Sequence, residues 1–325
     1  MKKATKIILI TASALIVIGA AVFVGALAMS GWNIERMMNV KYETNSYVID
    51  DKFEHLNIDA ETDDIILCPS EDNTCKVVCY EQESMKHSAK VNKNTLEISG
   101  TDERKWYERI ALFSFDSPKI TVFLPQKNYS SLSIHSSTGK SEIPKGFTFD
   151  SIDITGSTGD VICNASSKEL TRIENTTGSI SLSGTSSGEL QLKTSTGSIQ
   201  TESVTCKGDI SAKVSTGKLT MTDTTCKSLA TEGSTGNVAL TNVIASQAFS
   251  LERTTGNIDL HGCDAGELFI KTSTGNVTGS LLSEKVFITD TSTGNISVPK
   301  TASGGKCEIT TSTGNITIDI NEIYS

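Results

Sequence analysis

The chain has 325 residues, a formal net charge of −9 and 6 % aromatic residues. An acidic balance with few stacking rings excludes a nucleic-acid surface. The length alone would hold two ordinary domains, but an internal repeat makes a count of rungs more informative.

Residues 1–6 form a short stub carrying Lys2, Lys3 and Lys6, and residues 7–29 are an uncharged apolar run of 23. That run is long enough to span a bilayer. Lysines on its N-terminal side keep the stub cytoplasmic and send the body outside. A cleaved signal peptide is the competing reading, because Ala26-Leu27-Ala28 has the small-x-small form. The apolar core is longer than signal peptides carry, so a retained anchor is expected, and the body is exported either way. Residues 30–52 read as a polar juxtamembrane linker.

Residues 53–125 read as an N-terminal β cap. Leu56, Ile58, Thr62, Ile65 and Leu67 form a degenerate first rung, with Asp63 where glycine stands in later copies. Strands and hairpins follow to about Gly100, one of them turning at Asn92-Lys93-Asn94. Residues 101–118 hold Arg104, Lys105, Trp106, Tyr107 and Arg109, a basic-aromatic loop that is either a solvated excursion or a contact for a partner or headgroup. Residues 120–124, ending at Pro125, lead into the regular stack.

Residues 126–325 are organised by a Ser/Thr-Thr-Gly signature. Its glycines are Gly139, Gly159, Gly178, Gly197, Gly217, Gly236, Gly256, Gly275, Gly294 and Gly314, so successive spacings are 19 or 20 residues. Apolar side chains recur seven and five positions before each glycine, as in Leu132/Ile134 and Leu268/Ile270. They recur again two and four positions after it, as in Val238/Leu240 and Ile316/Ile318. Both runs have the strand period of two with one face buried. Odd offsets before the glycine and even offsets after it cannot share a face on one straight strand, so the chain turns there, and glycine enters positive φ without a Cβ clash. The fold class is therefore all-β: a single-stack β-solenoid, parallel β-helix-like, with rungs of about 20 residues stacked roughly 4.8 Å apart, behind an N-terminal transmembrane helix. A stack of antiparallel hairpins would use the same turns, but near-identical copies favour in-register stacking. The hydroxyls of the two residues before each glycine are expected to satisfy backbone groups at the corner. The last repeat stops at Ile320 with little chain left to cap it, which leaves residues 315–320 as an open edge for self-association.

The N-terminal anchor, the degenerate first rung, the strand Ile120-Thr121-Val122-Phe123-Leu124-Pro125, the 129–134 lead-in and the recurring Ser-Thr-Gly-Asn-Ile resemble the bacterial putative-adhesin family over residues 50–320. The resemblance implies a membrane-anchored β-solenoid of the cell envelope. Some of its members are encoded near envelope-stress systems, and the family supplies no catalytic residues.

Asn237, Asn257, Asn276, Asn295 and Asn315 take the same position on five rungs, which predicts a ladder bonded amide to amide along the axis. It doubles as a candidate binding face for a surface glycan or an envelope protein. The eight cysteines read mainly as buried apolar thiols. Cys163 and Cys307 fall on inward positions, Cys206 and Cys226 on adjacent rungs, and Cys68 and Cys75 could face each other across a hairpin as a disulfide. No metal or cofactor is expected, since Cys68, Cys75 and Cys79 lack the close Cys-x-x-Cys pair of zinc sites. Asp153, Asp209, Asp223, Asp259, Asp264 and Asp290 are scattered over the repeat, and His55, His87, His135 and His261 share no register with a nucleophile. Nothing builds the carboxylate pair of a glycosidase, so the chain reads as a non-catalytic binding or scaffolding rod. Alternatives are a regulatory partner in envelope-stress sensing, acting through the N-terminal third, and a self-assembling structural element.

Overall fold

The computed structural model describes residues 3–29, 31–32, 41–102 and 118–321. The first helix, α1 (Lys3–Met29), contains an apolar stretch, Leu9–Met29, long and apolar enough to cross a membrane. Gly31, at φ 72°, donates its N–H to Ala28 O, and Trp32 donates to Leu27 O, which closes the last turn.

Eight strands precede the regular repeat: β1 (Tyr42–Ile49), β2 (His55–Ala60), β3 (Asp64–Pro69), β4 (Cys75–Gln82), β5 (Met85–Asn92), β6 (Thr95–Asp102), β7 (Lys119–Leu124) and β8 (Asn128–Thr138). β2 lies parallel between β6 and β8, setting Leu56 beside Leu132 and Ile58 beside Ile134. β3 lies parallel to β7, and β4 runs antiparallel between β7 and β1. β5 and β6 form a hairpin whose turn places Lys93 and Asn94 at φ 46° and 69°, the two positive angles of a type I′ turn.

Two expectations change here. Residues 42–49 are a paired strand and not part of a linker; their half-buried, mixed polar face gives little alternation to read. Cys68 and Cys75 do not face each other across a hairpin, because β7 is inserted between β3 and β4. All eight cysteines are free thiols, and every one except half-buried Cys68 is buried.

Beyond β8 the rungs pair in parallel, in register through the run that leads to each glycine and with bulges in the returns. The inward residues before and after each glycine form one continuous core, Leu132, Ile154, Leu192, Leu240, Leu260 and Ile309 among them. Towards the C-terminus the return also becomes strand, as in Leu219–Thr235, Val238–Thr255 and Ile258–Thr274.

The stacking order at the C-terminal end differs from the order in sequence. Ile258–Thr274 pairs with Gly305–Thr313, and Gly305–Thr313 pairs on its other side with Lys285–Thr293. The Gly314 rung is thus inserted between the Gly275 and Gly294 rungs, and the Gly294 rung is the terminal layer. The chain re-enters at Gly304-Gly305, where a Cβ would lie 1.9 Å from Glu284 O at the first glycine and 1.8 Å from Gly266 O at the second. Only glycine fits between two backbones that close. The outermost layer carries the more polar inward pair, half-buried Phe287 and Thr289, while the inserted layer carries buried Cys307 and Ile309. The open edge expected at residues 315–320 is instead at Lys285–Thr293 and Ile296–Ser297, where Ile288 and Ile296 are exposed.

Candidate binding face and buried polar cluster

All ten corner glycines adopt positive φ, between 124° and 156°. Each would aim a Cβ into the carbonyl of the corner below it: 2.1 Å from Gly217 O at Gly236, and 2.1 Å from Gly236 O at Gly256. Both the angle and the rung spacing therefore demand glycine. Asp63 occupies the first corner, and a Cβ at Gly139 would meet its carbonyl oxygen.

The hydroxyls that satisfy the corner come from three positions before the glycine, not from the two residues adjoining it. Thr194 Oγ1 donates to Gly178 O at 3.0 Å, Thr272 to Gly256 O, Thr311 to Gly275 O and Thr291 to Gly314 O. At the Gly178 rung Asn175 Nδ2 does the same to Gly159 O. The adjoining Thr is exposed in every copy and contributes its backbone carbonyl, as in Gly236 N–H donating to Thr255 O. Its hydroxyl is thereby left on the outer face.

The asparagines follow each glycine on that same face, and their bonding also differs from expectation. Four of the five Oδ1 atoms, all but that of Asn295 on the last rung, accept the backbone N–H of the asparagine one rung on: Asn257 N donates to Asn237 Oδ1 at 3.0 Å and Asn276 N to Asn257 Oδ1 at 2.9 Å. Asn315 N donates to Asn276 Oδ1 at 2.8 Å, and Asn295 N to Asn315 Oδ1 at 2.9 Å. The ladder is side chain to backbone, and it runs 237, 257, 276, 315, 295. Asp64 and Asp160 make the same bond on earlier rungs, to Lys140 N and Ser179 N. The acceptor oxygen thus does the structural work. Among the described residues no Nδ2 of the five has a partner, so the column turns amide donors to solvent beside the exposed hydroxyls.

A different kind of site lies in the N-terminal cap. β4 alternates its side chains so that Cys75, Val77, Cys79 and Glu81 all face inward, and Glu81 is fully buried. The β5 hairpin brings His87 against it. His87 Nδ1 and backbone N each lie 2.6 Å from Glu81 Oε2, and Asn45 Nδ2 donates to Glu81 Oε1 at 2.7 Å. On the other side of the ring, His87 Nε2 lies 3.2 Å from Asp63 Oδ2, itself buried at the first corner. Burial pulls the imidazole pKa down, but the hydrogen bonds and charges of Asp63 and Glu81 outweigh it and hold it above its ordinary value. Burial, reinforced by Glu81 and Asp63, pushes the neighbouring Cys79 thiol up to about 12.

The Toastrack DUF4097 family profile matches residues 53–212 and 205–324 of the chain. The chain belongs to the Toastrack DUF4097 family. No curated protein matches it. Among solved structures, it is similar to a putative adhesin from Parabacteroides distasonis ATCC 8503 at 9 % identity and a TM-score of 0.47, over 86 % of this chain and 98 % of that one. It is also similar to a putative adhesin from Bacteroides fragilis NCTC 9343 at 16 % identity and a TM-score of 0.37, over 86 % and 97 %. A third is a putative lipid binding protein from P. distasonis ATCC 8503, at 15 % identity and a TM-score of 0.30, over 74 % and 95 %.

In this Toastrack chain, sequence reasoning set His87 among four unrelated histidines and missed Glu81. The signal was available: a glutamate in the inward phase of a strand, after Val77 and Cys79, has to find a partner. His55 Nδ1 lies 2.8 Å from Ser131 Oγ between neighbouring strands, and no acid flanks that pair in the hydrogen bonds of the described residues. Asp264 is tied to buried Lys285 at 2.8 Å, and Asp259 accepts from Thr278 Oγ1, so these two acids bond along the stack. Arg253 fills the notch above Gly233 and donates from Nη1 to Val214 O at 2.9 Å. The basic-aromatic stretch Arg104, Lys105, Trp106, Tyr107 and Arg109 lies outside the described residues.

Proposed function

We propose that this Toastrack protein is a non-catalytic binding rod of the cell envelope. In this reading α1 is retained as a membrane anchor with the Lys2, Lys3 and Lys6 end in the cytoplasm, and the stack projects outside. The apolar span Leu9–Met29, longer than the core of an ordinary cleaved leader, supports an anchor. The observation that carries the function is the corner face. Exposed Thr hydroxyls and unpartnered Asn Nδ2 groups repeat at one rung spacing along a stiff axis, roughly 4.8 Å. A polyhydroxylated surface glycan offers acceptors and donors along its own length, so individually weak contacts add.

Asparagine-to-aspartate exchange separates binding from folding, because Asp64 and Asp160 already show that a carboxylate keeps the bond to the next rung. The full chain in detergent micelles is applied to a glycan array beside the N237D/N276D variant, whose new charges sit two rungs apart. Retention on wild-type-binding glycans should fall at least tenfold, with unfolding stability changed by no more than about 0.5 kcal/mol. Equal retention by the two proteins, or no glycan retained by the wild type, contradicts the reading.

A further inference from the structure

The polar cluster in the cap is built like a metal centre. Cys79 Sγ, a Glu81 carboxylate oxygen and a His87 ring nitrogen all lie within 4.8 Å of one another, and all three residues are buried. Cys79 and Glu81 reach the point from alternate positions of one strand, and His87 from the adjoining hairpin. Thiolate, imidazole and carboxylate together are the donor set of a borderline-soft divalent ion such as zinc.

The surroundings match what such a centre needs. A metal-bound imidazole is oriented by an acceptor on its other nitrogen, and Asp63 Oδ2 stands 3.2 Å from His87 Nε2. That oxygen is buried and, apart from the His87 ring, has no hydrogen-bond partner among the described residues. The second ligand is also held, since Asn45 Nδ2 donates to Glu81 Oε1. Cys79 Sγ has no hydrogen-bond partner among the described residues. On the Nε2 side of the ring, away from Cys79 and Glu81, a cavity of ≈ 110 Å³ is lined by Asp59, Glu61, Asp63, His87 and Gly100, whose carboxylates draw cations towards the cluster. A side chain at Gly100 would crowd the Asp63 side of the ring, its Cβ falling 3.2 Å from His87 Nε2.

We propose that Cys79, Glu81 and His87 Nδ1 bind one zinc-class divalent ion, with Asp63 as the positioning residue behind the imidazole. The ion takes the place of the proton shared by His87 Nδ1 and Glu81 Oε2 and of the Cys79 thiol proton, both of which leave to solvent. A dication thus replaces two protons, and the buried charge is unchanged. Glu81 Oε2 and His87 Nδ1, now 2.6 Å apart, move apart slightly to share an ion about 2.0 Å from each. Three protein ligands leave one position of a tetrahedral ion for water. The result is a clip joining β4, β5 and the first corner of the stack.

The test uses the full chain in detergent, stripped with chelator and titrated with Co²⁺. One Co²⁺ per chain should bind with a thiolate-to-cobalt charge-transfer band in the near ultraviolet. Cys79→Ser should abolish the band and weaken binding at least tenfold, whereas Cys75→Ser, on the same strand and face, should retain both. Asp63→Asn should keep the band and weaken binding by about 10- to 100-fold. Should Cys79→Ser fail to fold by circular dichroism, X-ray absorption of the wild-type Zn²⁺ protein decides: one sulfur at about 2.3 Å is expected. A wild type that lacks the band, a Cys79→Ser protein that binds as the wild type does, or a nitrogen-oxygen shell without sulfur overturns the proposal.

Discussion

Gly236→Ala should destabilise the middle of the stack by about 3–5 kcal/mol, the sum of strain at a positive φ and of an overpacked contact. At φ 124° an L side chain is strained whatever room it has, and here the Cβ would meet Gly217 O at 2.1 Å. Relief would require the Gly217 and Gly236 rungs to separate, and each is hydrogen-bonded to a further rung beyond. Gly294→Ala faces a similar contact, 2.0 Å to Gly314 O, but its rung is the last layer and can lift away. Its cost should be the backbone strain alone, about 1–3 kcal/mol. Denaturant unfolding of the two variants checks this, and equal losses would mean that the corner carbonyls are not the obstacle.

Glu81→Ala should cost about 3–5 kcal/mol when metal is chelated, the usual penalty for removing one partner of a buried ion pair. It strands His87 with Asp63 alone and leaves Asn45 Nδ2 and His87 N without the acceptor they share. The same network fixes a pH dependence. The groups around the imidazole are Asp63, Glu81 and the Cys79 thiol, with Asp59 and Glu61 along the adjoining cavity; burial lowers the His87 pKa, but Asp63 and Glu81 outweigh it and hold it above its unfolded value. A raised folded pKa contributes stability that is complete below the unfolded value, about 6.5, and is lost as pH rises through the folded one. In chelator, melting temperature should therefore decline as pH climbs from neutrality, by at most about 1.4 kcal/mol of stability per pH unit. His87→Gln should flatten that slope, and a slope unchanged by the substitution would remove His87 as its source.

The corner and the core were legible because they repeat. Glycine at 19- or 20-residue spacing, with apolar pairs such as Leu268/Ile270 before it and Ile316/Ile318 after it, reads as one side of a coil. Stacking order was not legible, since a rung at Gly314 has the same period whichever neighbour it lies on. The deciding features are steric: Gly304-Gly305 slips between closing backbones, and Thr289 makes the Gly294 rung the less costly one to leave outermost. The −3 hydroxyls were hidden by their phase. Thr194, Thr272 and Thr311 continue the inward alternation and look like weak core positions until the carbonyl beneath them is placed. The cap held the most that spacing could not show. Asp63, Glu81 and His87 lie on three separate segments, and only the crossed order of β4 and β7 brings them together.

The continuous column of glycines, carbonyls and outward amides rests on the order Gly275, Gly314, Gly294, so that order is the point to test. Residue-resolved native-state hydrogen exchange on the full chain does so directly. Gly305–Thr313 is paired on both sides and Lys285–Thr293 on one, so Gly305–Thr313 should be the better protected and Lys285–Thr293 the faster to exchange. The reverse, with Lys285–Thr293 protected and Gly305–Thr313 exchanging as an edge, would mean that the rungs stack in sequence order and would contradict the account.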